Sequence, residues 1–244
     1  MSLLSCRLPL WLAAGLLASS CVFAADKCTD SKVKCEGSEF QLFIENDMLS
    51  HTDRYYTNGI KLGIGVPGDT LEELLRGFST LALLPFPKKE ELHFGWFIGQ
   101  NLYTPKKISV AAPQLFDRPW AAWLYLGGVI QRADPNSLDT VEVDVGFVGP
   151  PALGDQVQTT WHRLIGASKP QGWGNQIPAQ AAFVASYVHK DKFKFGAKYF
   201  ELIPHVGGTV GNVFTLARAG GIVRAGINMT GFGPDSIEPG GALL

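Results

Sequence analysis

The chain has 244 residues and a formal net charge of −1, with 46% hydrophobic residues, 18% charged residues and 28 glycines. This length is typical of one domain, and the charge provides no basic field, so we expect no nucleic acid partner. Beyond the first 24 residues the sequence has no long apolar run, which excludes a membrane-spanning helix there.

Residues 1–24 have the pattern of a secretory signal peptide. Arg7 precedes the apolar run 8–17, and a small-residue stretch ends at Ala24, where we expect cleavage. A retained membrane anchor is the alternative, but the apolar run is too short to cross ~30 Å of hydrocarbon. A lipoprotein site at Cys21 is a weaker alternative, because the usual Leu is absent three residues before it.

Residues 25–37 form a polar N-terminal segment that contains Cys28 and Cys35. An exported protein meets an oxidising compartment, so a local disulfide between these cysteines is the preferred interpretation. Six intervening residues do not match the spacing of a metal-ligand pair, and no His lies nearby to complete one.

From residue 38 onward, apolar residues alternate with polar residues or glycine, as in a strand with one apolar and one wet face. Segments of ~9–11 residues are long enough for tilted membrane strands, which favours an antiparallel transmembrane β-barrel over a soluble β-sandwich. Residues 69–84 and 154–166 have helical spacing instead. Without an internal repeat or linker, residues 38–244 are predicted to be one outer-membrane β-barrel domain. The eight predicted strands are 38–46, 55–66, 92–99, 119–131, 141–147, 177–189, 192–200 and about 212–228.

Several motifs of soluble enzymes are missing or misleading. The run 63–68 matches G-x-G-x-x-G, but its neighbouring strands alternate, whereas a dinucleotide site needs a buried parallel sheet. The sequence contains no G-x-S-x-G, H-E-x-x-H or EF-hand loop. A serine hydrolase of the common kind therefore lacks its nucleophile.

Two polar clusters are candidates for chemistry. The first is Glu45-Asn46-Asp47 with the segment 52–59, whose amide and carboxylate oxygens suit Ca²⁺; the alternative is that these are turn residues. In the second cluster, Gln158 and His162 are four residues apart on the predicted helix and share a face. His is a natural general base near neutral pH, although a merely exposed loop His is the alternative.

These clusters, in this order, resemble the outer-membrane lipid A 3′-O-deacylase family. The resemblance runs from about residue 38 to residue 228. The matching stretches are 45–47, 56–59, 100–105, 117–124, Gly149-Pro150, Gln158, 162–167, Gly172-Trp173 and Gln176.

The resemblance implies a twelve-stranded barrel whose active site lies between the wall and a short extracellular loop helix. It implies His162, Gln158 and Thr57 as catalytic residues, Asn46 and Asp47 as ligands of Ca²⁺, and a substrate-binding Lys at Lys106 or Lys107. The implied reaction is hydrolysis of an acyl ester of lipopolysaccharide lipid A in the Gram-negative outer membrane, with a His general base. No protein partner is implied.

Two features depart from the family pattern. Ser168 and Pro170 stand where the family has an acidic residue and a Tyr, so neither is assigned a role. The tail 231–244 reads as a loop cut off midway, and we expect a fragment rather than an eight-stranded barrel, because open strand edges are costly in lipid. The alternative functions are a non-enzymatic outer-membrane barrel, either a pore or a structural protein, and a secreted β-sandwich esterase.

Overall fold

The structure, a computed structural model, describes residues 17–24, 39–46, 55–67, 92–195 and 199–227 together with Phe232. Ten antiparallel strands form one sheet in this part of the chain. Among these residues no helix has the length and apolarity needed to cross a membrane. The strands are β1 (Leu17–Ala24), β2 (Glu39–Asn46), β3 (Tyr55–Pro67), β4 (Leu92–Thr104), β5 (Ala121–Ala133), β6 (Ser137–Val148), β7 (Gln180–Asp191), β8 (Phe193–Phe195), β9 (Phe200–Gly211) and β10 (Leu216–Ala225).

The helical elements lie in the segment between β6 and β7. Helix α1 (Gly154–Ile165) is flanked by the short 3-10 turns Pro150–Ala152 and Trp173–Asn175. It ends at Gly166, whose φ of 70° is readily available to glycine and whose N–H donates to the carbonyl of His162. The predicted helix at 154–166 is thus confirmed. The predicted helix at 69–84 and the pair Cys28 and Cys35 lie outside the described residues.

The sheet curls strongly. Lys61 on β3 places its Nζ 3.3 Å from Oε1 of Glu142 on β6, although three strand spacings would separate them by about 14 Å on a flat sheet. The rings of Trp123 on β5 and Phe214, between β9 and β10, are 5.5 Å apart. Within the described residues β1 and β10 are the two edges, and closure into a barrel stays a prediction.

The two faces of the curled sheet differ in polarity, as the alternation predicts. The concave face carries Lys61, Glu142, Asp144, Ser186 and Thr209, all buried. The opposite, convex face carries large apolar side chains that are 41–61% exposed. These include Leu62, Ile64, Trp96, Ile98, Leu126, Val143, Val145, Phe147, Phe183, Val206 and Val210. An apolar surface of this extent is suited to lipid rather than to water.

The strand count of the sequence prediction is wrong, and the error lies mainly near the C-terminal end. The predicted strand 192–200 is interrupted, because β8 covers only Phe193–Phe195 and Tyr199 lies in a turn. β9 is missing from the prediction because Pro204 and the pair Gly207-Gly208 weaken a strand considered alone. Its ladders with β7 and β10 form it nonetheless.

β1 lies inside the predicted signal peptide. Residues Leu17–Ala24 pair along their full length with Glu39–Asn46. Cleavage after Ala24 stays a prediction. If residues 1–24 are removed, another strand must pair with the free edge of β2, because unpaired backbone groups in lipid cost several kcal/mol each.

Most of the glycine-rich run 63–68 lies in an antiparallel sheet, whereas a dinucleotide site needs a buried parallel sheet. Gly63 to Pro67 belong to β3, which is antiparallel to both β2 and β4. A Cβ added to Gly63 would lie 3.5 Å from the Cβ of Phe97. This is an ordinary van der Waals distance, so Gly63 is simply a small residue on the concave face of the sheet.

Candidate active site

The segment 149–179 folds back over the convex face at one end of the sheet. The N–H of Gly149 donates to the carbonyl of Ala122 (3.0 Å), and the N–H of Ile177 donates to that of Trp120 (2.9 Å). Leu102 and Ala122, which share a face with the exposed Ile98 and Leu126, are buried here. The segment and the wall form one apolar cluster of Leu102, Ile108, Trp120, Ala122, Ala152 and Trp173.

Helix α1 turns a narrow polar side toward this wall. Its buried residues are Gly154, Gln158 and His162, which follow the i, i+4, i+8 spacing of one helix face. A Cβ at Gly154 would lie 2.5 Å from Cη2 of Trp173 and 2.6 Å from the Cβ of Ala122. Only glycine therefore allows the helix to approach so closely, and Gln158 and His162 lie on the same buried helix face.

His162 is only 5% exposed, and its ring is oriented by the main chain. Its Nδ1 lies 2.6 Å from the carbonyl oxygen of Ser168. Because a carbonyl can only accept, Nδ1 carries the proton and donates it, and Nε2 keeps the basic lone pair. The turn at Gly166 brings Ser168 back to the ring. The alternative interpretation, a merely exposed loop His, is wrong, since the side chain is buried.

Gln158 is held by a pair of tryptophans. Its Oε1 accepts a hydrogen bond of 2.8 Å from Nε1 of Trp173. The Trp173 ring packs against Trp120, with centroids 5.0 Å apart. Because the indole N–H can only donate, it fixes which end of the Gln158 amide is oxygen and therefore which end is the NH₂ donor.

Thr57 occupies a β-bulge at the same end of the sheet. Tyr56 pairs with Tyr103 and Asn58 with Leu102, which leaves Thr57 as the extra residue. Its Oγ1 lies 2.7 Å from Oγ1 of Thr104, and both side chains are buried. Thr104 lies two residues after Leu102 on the same strand and therefore shares the convex face with it. Because Thr57 contacts Thr104, the bulge brings the Thr57 hydroxyl to that face.

The end of the convex face that carries Thr57 and Thr104 is called the rim below. The strand register extends it toward β2. Asn46 pairs with Asn58, Asn58 with Leu102, and Leu102 with Ala122. Asn46 therefore occupies a position in the same convex row as the wall residues beneath the loop segment. Asp47 lies outside the described residues.

Glu45, the first residue of the same motif, belongs to the other face. It pairs with Gly59, and its Oε2 accepts a hydrogen bond of 2.5 Å from the hydroxyl of Tyr56. The motif is thus divided by strand alternation, and the structure brings Asn46, not Glu45, to the convex rim.

Lys106 and Lys107 are exposed in the loop that follows β4. Their main-chain atoms anchor the loop: the N–H of Lys106 donates to Oδ2 of Asp117 (2.9 Å), and the carbonyl of Lys107 accepts from Nε2 of Gln114 (2.9 Å). The loop lies at the same end of the sheet as α1. The structure does not choose between the two lysines.

Sequence reasoning assigned no role to three side chains that build this site. Nε2 of Gln100 donates to the carbonyl of Ala152 (2.6 Å) and fastens the loop segment to β4. Thr104 contacts Thr57, and Trp173 contacts Gln158. All three lie within stretches that carried the family resemblance, which was the available signal, but their partners are distant in sequence.

The rim offers oxygen donors rather than nitrogen or sulfur donors. Within the described ranges no three His, Cys, Asp or Glu side chains lie close enough together to hold a metal ion. The residue types at the rim are Asn46, Asn58, Thr57 and Thr104, whose neutral oxygens are hard donors that fit Ca²⁺ better than a transition metal. The carboxylate that such a site needs would come from Asp47.

Comparison with known proteins gives one family and one similar fold. The family model described as outer membrane protein LpxR matches residues 10–243. The solved structure of LpxR from Salmonella typhimurium is similar, with a TM-score of 0.55 and 24% sequence identity, over 70% of this chain and 53% of that chain. The chain thus spans about half the length of this solved relative. No curated protein matches the chain.

Proposed function

The chain belongs to the LpxR family of outer membrane proteins, and we propose that it is a lipid A 3′-O-deacylase. It would hydrolyse an ester-linked acyl chain of lipopolysaccharide in the outer membrane of a Gram-negative cell. The observation that carries the proposal is the imidazole of His162, which is buried on the inner face of α1 and oriented by the main-chain carbonyl of Ser168. A base in this position can reach an ester that enters from the lipid side.

His162 acts as the general base. Its Nδ1–H donates to Ser168, which holds the ring and directs Nε2 as the proton acceptor. Nε2 takes a proton from water as the water oxygen attacks the ester carbonyl carbon, and it returns the proton to the 3′ oxygen of the sugar when the acyl C–O bond breaks and the fatty acid leaves. No covalent enzyme intermediate is needed, in agreement with the missing G-x-S-x-G motif.

Gln158 and the threonine pair position the reacting groups. Trp173 holds the Gln158 oxygen, so the amide NH₂ is the end that donates to an oxygen of the substrate or the water. Within the pair of Thr57 and Thr104 one hydroxyl donates to the other, which leaves a single proton to offer outside the pair. These donors are proposed to act together with the His162 base.

The residue types at the rim fit Ca²⁺, with Asn46 and Asp47 as its proposed ligands. When bound, Ca²⁺ would supply Lewis-acid polarisation of the ester carbonyl and stabilise the developing oxyanion.

The convex wall provides a surface for the acyl chain. Next to the covered rim, Ile98, Leu126, Val145 and Phe147 are each about half exposed, at 51–53%. An acyl chain in the leaflet can lie on this wall without an unfavourable transfer, because the wall is as apolar as the lipid tails that surround it. An acyl chain lying on this wall would keep its ester near the rim.

Mass spectrometry of lipid A tests the proposal. We expect that expression in a Gram-negative host whose lipid A carries its ester-linked chains removes one chain, and that fragmentation assigns the loss to the 3′ position. The matched control is the same host expressing the His162→Asn variant at an equal level in the outer membrane. Unchanged lipid A in cells with correctly inserted wild-type protein would contradict the proposal and favour a non-enzymatic barrel.

Ser168 supplies a second, sharper test, because it contacts His162 through its carbonyl and not through its exposed side chain. We expect Ser168→Ala to retain deacylation within about twofold, since the hydrogen bond that orients the imidazole is kept. The measurement is the initial rate on purified lipid A. A loss of tenfold or more, on the scale of about 1.4 kcal/mol, would show that the side chain itself takes part.

A further inference from the structure

A hydrogen-bonded β-turn in the loop after β4 exposes two large apolar side chains. The N–H of Asp117 donates to the carbonyl of Gln114 (3.0 Å), which closes a β-turn with Leu115 and Phe116 at its centre. Leu115 is 85% exposed and Phe116 is 104% exposed. Central turn positions are normally occupied by Gly, Pro, Asn, Asp or Ser, so this pair is unusual.

Contacts of polar and main-chain groups fix the turn. Nε2 of Gln114 donates to the carbonyl of Lys107 (2.9 Å). The carboxylate of Asp117 accepts the N–H of Lys106 at one oxygen (2.9 Å) and the N–H of Arg118 at the other (2.8 Å). Leu115 and Phe116 bury almost nothing in the folded chain, so their apolar side chains do not stabilise the turn.

The loop that carries the turn runs along the lipid-facing side of the sheet. Ile108 is buried in the cluster on the convex wall, and its carbonyl accepts the N–H of Gln171 (2.9 Å). The carbonyl of Ala111 accepts from Nδ2 of Asn175 (2.7 Å). The apolar tip is therefore attached beside the convex wall. Trp161 and Leu164 on α1 also expose apolar surface at this end.

The charges around the tip suit an anionic lipid surface. Residues 105–119 contain three cationic side chains, Lys106, Lys107 and Arg118, and one acidic side chain, Asp117. Both oxygens of Asp117 are already occupied by main-chain N–H groups. An apolar tip flanked by basic residues is the composition of segments that lie at the boundary between headgroups and acyl chains.

We propose that the Gln114–Asp117 turn inserts Leu115 and Phe116 into the acyl layer of the outer leaflet, with Lys106 and Lys107 at the level of its anionic headgroups. The occupant of this surface is the leaflet that surrounds the protein. The inference follows from the outer-membrane family and the exposed side chains, and it does not depend on deacylation. It would hold the loop, and through Gln171 and Asn175 the active-site segment, against the membrane.

Fluorescence quenching in lipid vesicles tests the insertion without any activity readout. The Phe116→Trp variant of the full chain is reconstituted into vesicles that contain an anionic lipid, and its emission is compared with that of the parent protein. We expect lipids brominated on their acyl chains to remove most of the added emission and aqueous iodide to leave it unchanged. The matched control is Ala112→Trp, at an exposed position in the same loop, for which we expect the opposite pattern.

A neighbouring variant keeps the test decisive. Leu115→Trp places the probe at the other central position of the turn and is used if Phe116→Trp does not fold. Emission that iodide quenches as strongly as in Ala112→Trp, with no effect of brominated lipid, would overturn the insertion. Because the readout is spectroscopic, an inactive protein can still support it, and an active protein can still refute it.

Discussion

Replacing His162 with Asn lowers the rate of lipid A deacylation by about 10²- to 10⁴-fold, the range expected for loss of a general base. An Asn side chain places an NH₂ group where the imidazole has Nδ1, so the hydrogen bond to the carbonyl of Ser168 can be kept. What Asn lacks is a basic nitrogen at the position of Nε2. The measurement is the initial rate on purified lipid A in detergent.

The variant pair His162→Asn and His162→Ala separates chemistry from folding. If His162 only held the segment in place, Asn would restore activity and Ala would not; if it is the base, both are inactive. His189→Gln is the matched control, because this His lies at the opposite end of the sheet, with Nδ1 2.7 Å from Oδ1 of Asp139. Full activity of His162→Asn would exclude the proposed base.

Removing Ca²⁺ from the purified protein abolishes most of the activity. Lewis-acid stabilisation of a developing oxyanion contributes several kcal/mol, which corresponds to a loss of about 10²-fold or more. The experiment treats the detergent-solubilised protein with EGTA and then adds back either Ca²⁺ or Mg²⁺. We expect Ca²⁺ to restore the rate and Mg²⁺ to be a poor substitute, because Mg²⁺ demands a tighter octahedral shell and keeps its waters.

Variants at the rim test whether Asn46 and Asp47 are responsible for the dependence of activity on Ca²⁺. Asp47→Ala and Asn46→Ala should raise the Ca²⁺ concentration that gives half-maximal rate, and the change at Asp47 should be larger because it removes a charge. Asp134→Asn is the matched control, since this carboxylate caps the turn between β5 and β6 and bonds Ser137. A rate that EGTA does not alter, in protein shown to be free of metal, would contradict the calcium proposal.

Much of the fold could be predicted because its signals are local. Alternation predicts strands at 55–66 and 141–147, which lie within β3 and β6, and at 177–189, which overlaps β7 but begins three residues before it. Helix α1 was predicted within one residue, because the chain has glycines at both of its ends and helical spacing between them. β9 escaped prediction because its Pro204 and paired glycines oppose a strand locally, and only its two neighbouring strands compensate.

The candidate site was predicted only in its residue types. The sequence pointed to Gln158 and His162 on one helix face, and the structure confirms that both are buried on that face. It could not show that a bulge brings Thr57 to the convex face. It also could not show that Trp173 orients Gln158, or that the carbonyl of Ser168, rather than a side chain, orients the imidazole. A hydrogen bond to a main-chain carbonyl cannot be predicted from residue types, because every residue carries the same carbonyl group.

The sequence by itself therefore determined the all-β class, the helix in the long connection and the residue types of the candidate site. The tertiary structure decided which face of each strand is concave, and it divided Glu45 from Asn46 accordingly. It also decided that the segment 149–179 covers the convex wall instead of filling the concave side. The physical reason is that alternation shows which residues of a strand share a face, but not whether that face is concave or convex. The curling of the sheet, and the packing of Trp120 and Trp173 against the wall, decide the environment of each face.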